Sequence, residues 1–155
     1  MRFRRVLTSL VAALVAACSS ANDGGPNGYG VIDTPAQSDG NTPSTWTEVY
    51  TGIIQPTCSG CHNPGGLGGT SGKLDMSSQD TAYANLVNAP ASGSACAGKG
   101  TRVTPSNAAT SIMYQKVSPA DPAPCGSKMP FGGAALPQDE VDEIASWINA
   151  GAMNN

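Results

Sequence analysis

The chain is short of the residues that usually carry acid–base chemistry and fill cores. Its 155 residues hold one histidine, two phenylalanines, two tryptophans and four tyrosines, and only 12% are charged. With one imidazole, a zinc site built on paired histidines is excluded. Basic residues number eight against eleven acids, for a formal charge of −3. That balance argues against nucleic acid as a partner. The apolar run from Val6 to Ala17 is too short to span a bilayer as a mature helix.

That run has the flanks of an export signal. Arg2, Arg4 and Arg5 precede it, and it ends in Val15-Ala16-Ala17-Cys18. The ending resembles a bacterial lipobox, so residues 1–17 are expected to be a signal peptide and Cys18 the lipidated first mature residue. Ordinary cleavage near Ala-x-Ala is the alternative. Ser19 and Ser20 follow with no aspartate, which suggests anchoring at the outer membrane, facing periplasm or exterior. Residues 18–43 are rich in Gly, Asn, Asp, Ser and Pro, too polar to offset their ordering entropy, and read as a flexible linker. Residues 44–155 form the single expected domain. Without the signal, five basic residues face eleven acids, about −6.

Cys58-Ser59-Gly60-Cys61-His62 is C-x-x-C-H, the attachment pattern of a c-type haem. Two thiols three residues apart each form a thioether to one porphyrin edge, and the adjacent histidine becomes the proximal iron ligand. The only histidine occupies that position. A thioredoxin-like dithiol belongs near a βαβ pattern, which is not visible here. Half of a zinc site needs a second ligand pair, which Cys96 and Cys125 are too far apart to form as a C-x-x-C. Two structural cysteines beside a chance histidine are the plain alternative. With His62 on iron, no Ser/His/Asp arrangement remains.

Export accounts for the other cysteines. Cys96 and Cys125 are an even remainder in an oxidising compartment, which argues for one disulfide, or else for two unpaired buried thiols. The chain-entropy view assigns such a bridge about 3.6 kcal/mol.

Histidine-held haem iron can take methionine on its other face. Met76 and Met113 lie in apolar patterns, where methionine fills cores. Met153 is near the last residues. Met129, in Lys128-Met129-Pro130-Phe131, is in a loop between Cys125 and the last helix, and Pro130 stiffens it. Met129 is therefore the expected sixth ligand. A Cys96–Cys125 bridge would restrain that loop at its base.

Helical patterns frame these residues. Ser44 or Thr45 can cap a helix whose apolar face is Trp46, Val49, Tyr50, Ile53 and Ile54, ending or bending near Gln55 ahead of Pro56. Gly65 to Gly72 reads as a glycine-rich turn near the haem edge, and Lys73 to Met76 as extended. Ser77 or Ser78 can cap a helix with Tyr83, Leu86 and Val87. Thr101 to Pro105 reads as extended, Ala108 to Val117 as one helix, and residues 118–135 as an ordered loop. The last helix follows Pro137, with acids in its first turns, where the dipole favours them. Its apolar face is Val141, Ile144, Ala145 and Ile148, Trp147 flanks it, and Gly151 stops it.

The order of these features resembles the class I, mono-haem cytochrome c family over roughly 44–155. It runs from an N-terminal helix through Cys58-x-x-Cys61-His62 and Lys128-Met129-x-Phe131 to a C-terminal amphipathic helix. "TGIIQPTCSGCH" and "CGSKMPFGG" look like a lipoprotein-borne bacterial subgroup with an extra disulfide. The resemblance implies an all-α fold of about four short helices around one covalent haem c, with long ordered loops and crossed first and last helices. It implies Cys58 and Cys61 as thioether residues and His62 and Met129 as axial ligands. The long stretch between His62 and Met129 departs from the family's pattern, as does the scarcity of lysine.

The function expected is electron transfer, without substrate chemistry, by a monomer that meets redox protein partners. Its acidic surface would suit a basic docking face. The rivals are a haem peroxidase or small-ligand sensor with a labile sixth site, and a docking subunit of a larger surface complex.

Overall fold

A computed structural model describes residues 42–120 and 122–155. The expected signal peptide, Cys18 and nearly all of the linker lie outside the described residues.

Thr45 starts the first helix. Its hydroxyl accepts from the Glu48 amide (3.2 Å) and the Glu48 carboxylate accepts from the Thr45 amide (2.8 Å), a reciprocal cap. Helix α1, Trp46–Val49, continues directly as a π-helix, Tyr50–Cys58. The chain therefore does not end its helix near Gln55. It passes through Pro56 in the wider winding seen where the Ser59 amide donates to Ile54 O at 3.0 Å. The expectation assumed α-type bonding, in which the missing Pro56 N–H breaks the ladder. Trp46, Val49, Tyr50, Ile53 and Ile54 are all buried, as their spacing predicts.

Helix α2, Leu67–Thr70, is a single helical turn inside the glycine-rich stretch Gly65 to Gly72, which the sequence reads as a turn. Helix α3, Gln79–Leu86, is capped by Ser78, whose hydroxyl accepts from the Thr81 amide at 3.3 Å. Thr101 and Val103 make isolated bridges to Pro90 and Val87, consistent with an extended segment.

The helix expected over Ala108 to Val117 is split. A 3₁₀ turn, Ala108–Thr110, precedes α4, Ile112–Val117. Ser111 breaks it. Its fully buried hydroxyl accepts from the Thr104 amide and donates to Asn107 O, both at 2.8 Å. Serine that bonds nearby backbone competes with helical pairing. Among the described residues, 118–135 contain no helix, as expected.

Helix α5, Gln138–Asn149, buries Val141, Ile144 and Ile148, with Ala145 half-buried. Trp147 does not flank this face. It is in the core, because its indole stacks on Trp46. The stop is at Gly151, with φ +109°. The Ala152 amide reaches back to Trp147 O (2.9 Å) and the Gly151 amide to Ile148 O (3.0 Å), a Schellman closure. The following segment returns to α1. Asn155 accepts from the otherwise orphaned amides of Trp46 (3.0 Å, side chain) and Thr47 (2.9 Å, backbone). Among the described residues the fold is all-α, with only isolated bridges between extended pieces.

Candidate functional site

The π-helix delivers Cys58 to the site, and the chain then turns sharply. The amides of Cys61 (3.1 Å) and His62 (2.9 Å) both donate to Cys58 O. The Asn63 side-chain amide donates to Ser59 O (3.1 Å) and Gly60 O (2.8 Å), fastening the turn. Cys58 is a half-buried free thiol and Cys61 an exposed one. Burial, then Glu140 and the neighbouring Cys61, push the Cys58 thiol up to about 11. A dithiol that works through its thiolate needs the opposite shift.

The glycines of the next stretch are needed for close approach. A Cβ at Gly66 would meet the Cys61 carbonyl, and one at Gly69 the Asn63 carbonyl. A Cβ at Gly68 would run into the His62 ring, 2.6 Å from Cγ and 2.7 Å from Cε1. Helix α2 thus lies directly against the motif, and the imidazole rests on bare backbone.

On its other side, His62 is held by the extended piece 74–76. Its Nδ1 is 3.3 Å from Leu74 O, and its own carbonyl accepts from the Met76 amide at 2.7 Å. A carbonyl can only accept, so Nδ1 carries the proton and Nε2 keeps its lone pair. Burial holds the His62 pKa below its usual value, opposed by the Leu74 bond and assisted by Arg102 and Lys116. The shift favours the neutral form, the one that binds metals.

Cys58, Cys61, His62 and Met129 all line one cavity of about 430 Å³. Its walls are chiefly apolar, with Ile54, Leu86 and Ile144 among them. Met129 comes to it on a loop held by the bond from its amide to Lys116 O, 2.9 Å. Met76 and Met113 line the cavity too, Met76 buried and Met113 half-buried. Met153 is exposed. Cys96 and Cys125 form a disulfide, with Cα atoms 5.2 Å apart. Cys96 is on the cavity wall.

Arg102 also lines this cavity and was not anticipated as a site residue. It is only 7% exposed. Its guanidinium donates to Asn85 O (2.9 Å), Lys73 O (2.6 Å) and Ser92 Oγ (2.9 Å), all neutral oxygens. A buried cation is expensive unless an anion answers it. One signal was present in the sequence. Arg102 is the only arginine after residue 5, and it alternates with Val103 in an extended stretch. At the cavity mouth, Leu67 and Phe131 are large apolar side chains left exposed.

Compared with protein-family models, with curated proteins and with solved structures, the chain gives no match.

Proposed function

We propose that the chain is a mono-haem c-type cytochrome that carries electrons. The observation that carries this reading is the convergence of both motif thiols, the neutral imidazole of His62 and the distant thioether of Met129 on one apolar cavity. The donor set fits a covalently held haem. Cys58 and Cys61 are free to form thioethers. His62 is fixed by Leu74 O in the tautomer that offers Nε2 to iron. Met129, on the same cavity, would supply a soft second ligand. Arg102 is placed to answer the negative charge of a porphyrin carboxylate. When bound, the haem supplies a one-electron ferric/ferrous couple.

The chain's own residues keep that couple dry and its ligands constant. Ile54, Leu86 and Ile144 line the cavity with side chains that offer water no hydrogen bond. The exposed Leu67 and Phe131 leave an apolar rim at which a redox partner could approach. We further propose, from the sequence, an exported lipoprotein anchored through Cys18. Among the described residues no helix is long and apolar enough to cross a membrane.

Met113 supports a second assignment of the sixth ligand, since it lines the same cavity. The test is the visible spectrum, oxidised and reduced, of protein matured in a host that assembles c-type cytochromes. A covalent low-spin haem is expected, with the weak long-wavelength band of Fe–Met ligation lost in Met129→Ala and kept in Met113→Ala. The reverse pattern would move the ligand to Met113. A high-spin haem that binds carbon monoxide and ignores both variants would favour a peroxidase or sensor. A colourless protein would end the haem reading.

A further inference from the structure

Two lysines fasten the Met129 strap, residues 125–129, to α4, one reaching from each partner. Lys116, on α4, reaches across to the strap, where its Nζ donates to Cys125 O (2.7 Å) and Ser127 O (2.8 Å). Lys128, on the strap, reaches back, and its Nζ donates to Gln115 O (2.8 Å) and Ser118 O. The amide of Met129 completes the seam by donating to Lys116 O at 2.9 Å.

The partners explain why cations are needed. Gln115 and Ser118 sit at the C-terminal end of α4. Carbonyls there lack helical partners and favour a nearby positive charge. An ammonium brings three donors, so each lysine can hold two carbonyls at once. Bonds from a charged donor are also the stronger kind. The disulfide meets the strap at Cys125, the residue whose carbonyl Lys116 also holds. Lys128, by contrast, is adjacent to Met129.

We infer that Lys116 and Lys128 are positioning residues for Met129, holding its strap on α4 whether or not the Cys96–Cys125 bridge is closed. This rests on the reading of Met129 as the sixth iron ligand. The strap is ordered when the chain folds, so ligation itself costs little further ordering. An external ligand that displaces Met129 must work against the lysine bonds. On this inference the disulfide restrains the strap at its base, and the lysine bonds hold it closer to the ligand.

The test uses the haem-loaded full chain and imidazole as the competing ligand of ferric iron. Lys116→Met and Lys128→Met are each expected to bind imidazole about tenfold more tightly than wild type, from the loss of charged hydrogen bonds. Lys128→Arg should restore most of the wild-type affinity. A Cys96→Ala/Cys125→Ala variant should change it less than either lysine variant. Hydrogen exchange at the Met129 amide should quicken in both Lys→Met variants, a readout that does not depend on iron ligation. Thermal melting checks that the fold survives, and Lys128→Gln serves if Lys128→Met does not accumulate. Wild-type imidazole affinity and amide exchange in the lysine variants would overturn the inference. So would a disulfide-free variant that releases Met129 as fully as they do. A wild-type protein without covalent haem or the Fe–Met band would instead overturn the reading of the site.

Discussion

The indole of Trp147 lies on that of Trp46, ring centroids 4.8 Å apart and planes inclined by 30°. Tyr50 and Tyr83 close around Trp46, each at 5.7 Å. This cluster joins the first helix to the last. It fixes the π-helix that carries Cys58 against the helix that supplies Ile144 to the cavity wall. Trp147→Ala should therefore cost about 3–5 kcal/mol, read as a lower urea midpoint with an unchanged slope. A loss below about 1 kcal/mol would show that the surroundings collapse to fill the gap.

Arg102 has a buried charge and only neutral partners in the protein. If the cavity holds haem as proposed, a cation on its wall disfavours the ferric state. Arg102→Gln should therefore lower the midpoint potential of the haem-loaded protein by about 60 mV, a tenfold shift for a one-electron couple. Arg102→Lys should lower it less. Both variants should also lose stability, since Lys73 O and Asn85 O lose donors, at about 1–3 kcal/mol for a group left unsatisfied. Potentiometric titration separates the two effects. A lower melting temperature with an unchanged potential would make Arg102 a structural brace alone.

Glu143 is an acid whose ionised form the fold disfavours. Partial burial raises its pKa, and Glu48, Glu140 and Asp139 add repulsion. A carboxylate with a raised folded pKa is a cost when ionised. That cost is fully present above the folded pKa and fades as pH falls toward the ordinary value of 4.5. Glu143→Gln should stabilise the protein at neutral pH by roughly 0.3–0.5 kcal/mol, because solvent screens a partly exposed group. The gain should shrink as the solution is acidified and as salt is added. Glu48 behaves oppositely, since bonds from Thr45 lower its pKa. A thermal-melt series against pH in Glu143→Gln and Glu48→Gln checks the opposed signs.

The sequence showed most clearly what depends on local spacing. The cap at Thr45, the buried faces of the first and last helices and the stop at Gly151 follow from neighbours within a few residues. The C-x-x-C-H stretch is equally local, because its pattern is written in consecutive positions. Features that depend on distant partners were hidden. Trp147 was placed beside its helix face because Trp46 is far away in sequence. Ser111 splits a helix only because Thr104 and Asn107 are in reach of its hydroxyl. The bonds of Lys116 and Lys128 are hidden for the same reason, since each joins α4 to a segment about ten residues away. Pro56 misled for another reason. The rule applied to it concerns α-type bonding, and the chain there is wound as a π-helix.

Gly68 joins the two kinds of signal. The sequence shows a run of glycines after the motif, and the structure gives this one its purpose. Its backbone is the surface on which the His62 ring rests, and a methyl group there would be 2.6 Å from Cγ. The ring cannot swing away cheaply, because Leu74 O holds Nδ1 and the Met76 amide holds the His62 carbonyl. In Gly68→Ala, either α2 lifts off the motif or the ring leaves its bond to Leu74 O. Overpacking of this kind costs about 1–3 kcal/mol. The expected outcome is a lower yield of covalent haem and a haem that is high-spin in part, because the proximal nitrogen is misdirected. Gly65→Ala is the control, since a Cβ there meets only the Asn63 side chain at 3.7 Å. Equal spectra and equal haem yield in the two variants would show that the close approach of Gly68 does not position the imidazole.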